Sequence, residues 1–112
     1  MIVTDKIIRD FAELSGDTNP LHLDDKHPSR FGQRIAHGMF VASLISAEIA
    51  RQYPGAIYVN QKLRFRAPVF IGDEIQAEVL PEDVQEEKVF LWTRVLRDDE
   101  EVLVGSAVIL CT

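Results

Sequence analysis

GMFVASLISAEIA, residues 38–50, is apolar or small at almost every position until Glu48. A helix that rests on a surface shows one apolar stripe, whereas one that is apolar almost all round is surrounded by other elements. The alanines and serines in the run let neighbouring backbone come close. The stretch therefore predicts a buried helix, which Tyr53-Pro54-Gly55 ends.

Downstream the period changes. In IYVNQKLRFRAPV, residues 57–69, Val59, Gln61, Leu63, Phe65 and Ala67 alternate with Tyr58, Asn60, Lys62, Arg64 and Arg66, which predicts a strand with chemically unlike faces. Further strand signals lie near 74–82, 87–97 and 101–111. The connections IGDE (71–74), PEDVQ (81–85) and DDE (98–100) are short enough for a meander of sequentially paired antiparallel strands. One helix too apolar to face water and at least four strands predict an α+β arrangement, a curled antiparallel β-sheet wrapped around a central buried α-helix. No repeat or linker divides the chain, so residues 1–112 read as a single domain.

Upstream, Thr4 caps a helix over about residues 5–15, with Ile7, Ile8, Phe11 and Leu14 on its apolar side. Gly16 stops it, because glycine reaches left-handed backbone angles at little cost. Residues 17–35 hold two prolines and Arg30-Phe31-Gly32 without a sustained period, and predict a long, locally folded connection.

That connection begins with SGDTNPLHLDD, residues 15–25. On an ideal helix the five-residue spacing of Asp17 and His22 rotates them apart by about 140°, but a turn at Asn19-Pro20 can bring them together. Two readings stand: Asp17 or Asn19 caps the next turn and His22 is a loop residue, or a carboxylate and an imidazole with an ordinary pKa of about 6.5 flank one water or substrate proton. His27, before Pro28, reads as an exposed polar residue. A metal site from His22, Asp24 and His27 matches no familiar ligand spacing, and no metal is expected. Gly38 stands at the start of the buried helix, where unpaired N–H groups and the helix dipole favour negative charge. Either it admits an enolate oxygen to the backbone or it makes room for a close element crossing, with His37 a cap or interface contact. Ser43 reads as a helix-interior hydroxyl bonded to a preceding carbonyl.

The chain has 112 residues, 46% of them hydrophobic, and twelve Lys/Arg against eighteen Asp/Glu give a formal charge of −6. Polyphosphate would be attracted only through a local basic patch, and Lys62, Arg64 and Arg66, joined by Arg30 or Arg34, form one candidate. The patch lacks stacking aromatics at matched spacing, so nucleic-acid binding is not expected. Neither an export signal nor a membrane span is evident, and a cytoplasmic location is the default expectation. The lone Cys111 cannot form an intrachain disulfide. At this length a monomer hides only about two thirds of its extended surface, which makes a partner subunit attractive.

Three segments, FAELSGDTNPLH (11–22), RFGQRIAHGM (30–39) and LRFRAPVFIGDEI (63–75), resemble in order and spacing the MaoC-like, R-specific enoyl-CoA hydratases and dehydratases of hotdog fold. The resemblance implies that Asp17 and His22 are the catalytic pair, that the Gly38 N–H is an oxyanion-hole donor, and that Ser43 helps shape the site. Asn19, Lys62, Arg64 and Arg66 are then the substrate-binding candidates. It also implies an acyl-CoA thioester substrate, with CoA or an acyl carrier protein as carrier, no metal or redox cofactor, and a homodimer joined through sheet edges, with a heterodimer left open. The abbreviated N-terminus implies a shortened or missing first strand. Rival readings are an acyl-CoA thioesterase of the same fold and a non-catalytic acyl-CoA-binding or structural subunit.

Overall fold

The computed structural model describes residues 1–26 and 29–111, so the expectations placed on His27 and Pro28 lie outside the described residues. Helix α1 spans Asp5–Ser15. The Thr4 hydroxyl accepts the Ile7 N–H at 3.1 Å, and Gly16 ends the helix at φ 79°, its N–H donating to the Ala12 carbonyl. Its buried side is Ile8 and Ala12, flanked by Ile7 and Phe11. Leu14 is 87% exposed instead, because it lies about 120° round the helix from Ile8.

Short helix α2, Pro20–Leu23, follows, then α3, Gly38–Gln52. Four strands complete the chain: β1, Ile57–Phe65; β2, Ile75–Gln85; β3, Lys88–Arg97; and β4, Glu100–Leu110. Ahead of α1, Ile2 forms an isolated antiparallel bridge with Glu74. Val3 is nonetheless fully buried, and its N–H donates to the Asp73 carbonyl at 2.9 Å.

The expectation of a curled sheet wrapped around the helix is corrected here. The strands form an open antiparallel sheet in the order β1-β4-β3-β2, with β1 and β2 as unjoined outer strands. α3 lies on one face, against β2 and β3. It buries Phe40, Val41, Ile45 and Ile49, while Met39, Ser43, Ser46, Ala47 and Ala50 are exposed. The small residues that suggested burial all round are tolerated equally well in water, so they did not demand a second covering layer.

The meander holds for β2, β3 and β4 but not for β1, which pairs with β4. PEDVQ lies inside β2, whose register shifts between Pro81 and Asp83, and the β2–β3 turn falls at Glu86-Glu87. Across the covered face, Val79, Leu91, Val95, Leu103, Ala107 and Ile109 meet the helix side chains as the core.

Two contacts tie the segment before α3 to the connection between β1 and β2. Ile35 bridges Phe70, and the Ala36 N–H donates to the Val69 carbonyl at 2.7 Å. Arg34, 7% exposed, donates to the His22 carbonyl at 2.8 Å and to Asp5 at 2.6 Å, tying α2 to α1. These bonds fix where α3 begins relative to α2.

Candidate active site

Gly16 turns the chain out of α1, and the Asp17 N–H then donates to the Ser15 hydroxyl at 3.1 Å. Asn19 caps α2 through its side chain, which accepts the Leu21 N–H at 3.2 Å, with Pro20 pre-set in the first helical position. The capping reading and the functional one are thus compatible, because the cap is what presents His22. The Asp17 Oδ2 and His22 Nε2 atoms stand 4.0 Å apart, beyond a direct hydrogen bond. His22 is buried and Asp17 half exposed.

The His22 Nδ1 lies 2.8 Å from the Ile35 carbonyl. A carbonyl only accepts, so Nδ1 carries the proton, and Nε2 presents its lone pair toward Asp17. Burial is the largest influence on this imidazole and pushes its pKa below 6.5; the neighbouring His37 acts in the same direction, against the Ile35 bond and Asp17. The ring is neutral at neutral pH and ready to accept a proton.

His37 is the N-cap of α3 but makes no side-chain cap bond. Its ring is 1% exposed, stacks on His22 with centroids 3.9 Å apart, and touches Phe11 at 4.9 Å. Its Nε2–H donates to the Asp17 carbonyl at 2.9 Å, and Nδ1 has no hydrogen-bond partner among the described residues. The first intrahelical bond of α3 runs from the Val41 N–H to the His37 carbonyl at 3.2 Å. The preceding amides, beginning with Gly38, are therefore free donors at the positive end of the dipole.

A cleft of about 340 Å³ opens on this helix start, lined by His22 and Gly38 and walled by Phe31, Ile35, Val41, Phe65, Val69 and Val102. A Cβ at Gly38 would stand 2.8 Å from the Phe65 ring, so the glycine makes room for an aromatic wall as well as exposing its amide. Arg66 lines the same cleft. Lys62 and Arg64 project from exposed positions on β1 outside its lining. Ser43 is exposed, does not line the cleft, and donates to the Phe40 carbonyl at 2.5 Å. Arg34, a candidate for the basic patch, is engaged by Asp5 and the His22 carbonyl.

One ligand atom each from Asp17, His22 and His37 lies within 4.8 Å of the others. The two imidazoles are stacked with their planes 26° apart.

Residues 1–99 match the family described as MaoC like domain. The chain belongs to the MaoC-like family. Among MaoC-like relatives, it is 44% identical over 105 residues to the 3-hydroxybutyryl-CoA dehydratase of Methylorubrum extorquens, covering 88% of this chain and 67% of that one. It is 41% identical over 103 residues to the mitochondrial 3-hydroxyacyl-[acyl-carrier-protein] dehydratase of Arabidopsis thaliana, covering 87% and 62%. The chain therefore spans about two thirds of the length of these curated relatives. The solved structure of an (R)-hydratase from A. caviae involved in PHA biosynthesis superposes with a TM-score of 0.92 at 37% identity, covering 100% of this chain and 90% of that one. The MaoC-like chain has the hotdog fold in this open four-stranded form.

What the residue reading of this MaoC-like chain missed was support. From the sequence His37 reads as a cap or interface contact, and Arg34 as part of a phosphate-attracting basic patch. Their sequence signals were their positions, His37 directly before the helix-start glycine and Arg34 four residues before it.

Proposed function

We propose that Asp17, His22 and the Gly38 amide perform the (R)-specific hydration of trans-2-enoyl-CoA and its reverse, the dehydration of (R)-3-hydroxyacyl-CoA. The chain is an enzyme of this hydro-lyase class, in keeping with its MaoC-like membership. The observation that carries the mechanism is the 4.0 Å separation of Asp17 Oδ2 and His22 Nε2 beside the open start of α3. A water placed at about 2.8 Å from each is held by both.

In hydration, the water oxygen bonds to Cβ as the Cα=Cβ π bond breaks, and the proton it loses passes to the Asp17–His22 pair. Cα takes a proton on the same face, so water is added whole. Charge shifts meanwhile onto the thioester oxygen, where the Gly38 N–H and the helix dipole meet it. Dehydration runs through the same groups in reverse. The apolar walls of Phe31, Phe65 and Val41 receive the acyl chain and keep bulk water from the enolate.

Arg66 lines the cleft, and with Lys62 and Arg64 it offers charge to the phosphates of the carrier, CoA or a phosphopantetheine arm. Asn19 acts by capping α2 and so aiming His22, and Ser43 supports the helix that begins at Gly38. A homodimer formed through β1 is supported by that unjoined strand and by its exposed Ile57, Tyr58, Val59 and Phe65. Among the described residues no helix is long and apolar enough to cross a membrane.

The test supplies trans-2-butenoyl-CoA to the wild type, Asp17→Asn and His22→Ala, with product analysis. The wild type should form a 3-hydroxyacyl thioester without free thiol, and each variant should lose about 10²–10⁴ in kcat. Full activity in either variant removes that residue from its role, and release of CoA thiol instead identifies thioester hydrolysis.

A further inference from the structure

The gap between Asp17 and His22 is set by neither residue alone. Among the described residues His22 makes one side-chain hydrogen bond, Nδ1–H to the Ile35 carbonyl, which anchors a single point of the ring. The Asp17 carboxylate is half exposed, and among the described residues its Oδ1 accepts a single 3.3 Å bond, from the Asn19 N–H. At 4.0 Å the two functional groups do not bond to each other directly. With nothing else holding them, one would expect direct contact or separation rather than a one-water gap.

His37 touches both members. Its Nε2–H grips the backbone carbonyl of Asp17 at 2.9 Å, while its ring lies flat against His22 at 3.9 Å. The residue is itself immobile, 1% exposed, backed by Phe11 and fixed in the chain by the start of α3. Burying an imidazole with an unpartnered Nδ1 costs free energy, which a plain packing residue would avoid.

We infer that His37 is a positioning residue, a spacer that holds the Asp17 carboxylate and the His22 imidazole one water apart. This rests on the hydratase reading above for its meaning in turnover, but its geometric content stands independently. His37 does not touch the reacting atoms. It acts on Asp17 through the carbonyl and on His22 through the stacked ring, as groups behind a reactive pair commonly do.

Two variants separate its two contacts. His37→Gln keeps a donor and loses the stack; His37→Phe keeps the stack and loses the donor. With trans-2-butenoyl-CoA, each should lower kcat by about tenfold or more while KM changes by less than about threefold, the signature of an interaction expressed in the transition state. Combined with Asp17→Asn, His37→Phe should cost little further, because a spacer has nothing left to place. A crystal structure of His37→Gln should show the Asp17–His22 separation changed.

Retained kcat in both variants, or a full additional loss on top of Asp17→Asn, overturns the inference. So does an unchanged 4.0 Å separation in His37→Gln, whether or not the wild type is active. An inactive wild type with a disturbed separation, by contrast, refutes the functional reading and leaves the spacer standing.

Discussion

Substituting Gly38 by alanine separates the two uses of this glycine. The added methyl carbon would stand 2.8, 3.1 and 3.3 Å from three atoms of the Phe65 ring, closer than ordinary contact. That ring is 52% exposed and sits at the end of the outer strand β1, so it can turn outward. Overpacking costs about 1–3 kcal/mol when neighbours are confined, and here the lower end applies. Alanine recovers part of the helix-propensity difference of about 1 kcal/mol. The net destabilisation is therefore below about 1 kcal/mol, a fall in Tm of less than roughly 4–8 °C for a domain near this size. Activity should respond far more strongly, because the methyl occupies the approach to the first free amide of α3. Loss of one oxyanion donor lowers kcat by about 10²–10³. The assay follows hydration of trans-2-butenoyl-CoA alongside thermal melting of the same preparations. A variant that melts lower but retains kcat would refute the oxyanion role and leave Gly38 as a packing glycine.

Two further outcomes follow from the same geometry. Because burial holds His22 below 6.5, the acid limb of kcat/KM for hydration should have its midpoint below 6.5; a midpoint above it would contradict a neutral, desolvated base. The linked stability effect has a definite sign: the unfolded imidazole takes up its proton first, so His22 lowers stability as pH falls from 6.5 toward the folded value, and has no effect above 6.5. Denaturant unfolding of wild type and His22→Ala across that interval checks it, since the variant should lose this part of the pH slope. Arg34→Ala removes bonds to the His22 carbonyl and to Asp5, and should cost about 1–3 kcal/mol in chemical denaturation, the lower part of the range because Asp5 is half exposed. An unchanged unfolding midpoint would show that α2 is held to α1 by other contacts.

The distances also show how the candidate site is assembled. A carboxylate, a neutral imidazole and a helix start come from three separate segments, held by hydrogen bonds to backbone groups and by the His37 ring stacked on His22. Asn19 caps the turn that carries His22, Ile35 fixes the tautomer, and the Val69 carbonyl fixes the approach to Gly38.

Local rules made several of these features legible in the sequence. Thr4 and Gly16 bound α1 because capping and left-handed turns depend on one or two residues. Alternation in 57–65 marked β1 because side chains on a strand switch faces at every step. Asp17, His22 and Gly38 could be singled out because their chemistry and their neighbours, Asn19-Pro20 and the helix start, lie close by in the chain. The tertiary structure alone decided that β1 joins β4 rather than β2, that α3 lies across an open sheet instead of inside a curled one, and that Arg34 holds the loop while His37 stands behind the pair. These are contacts between distant segments, and a residue's own type and spacing do not reveal which remote carbonyl or ring it will meet.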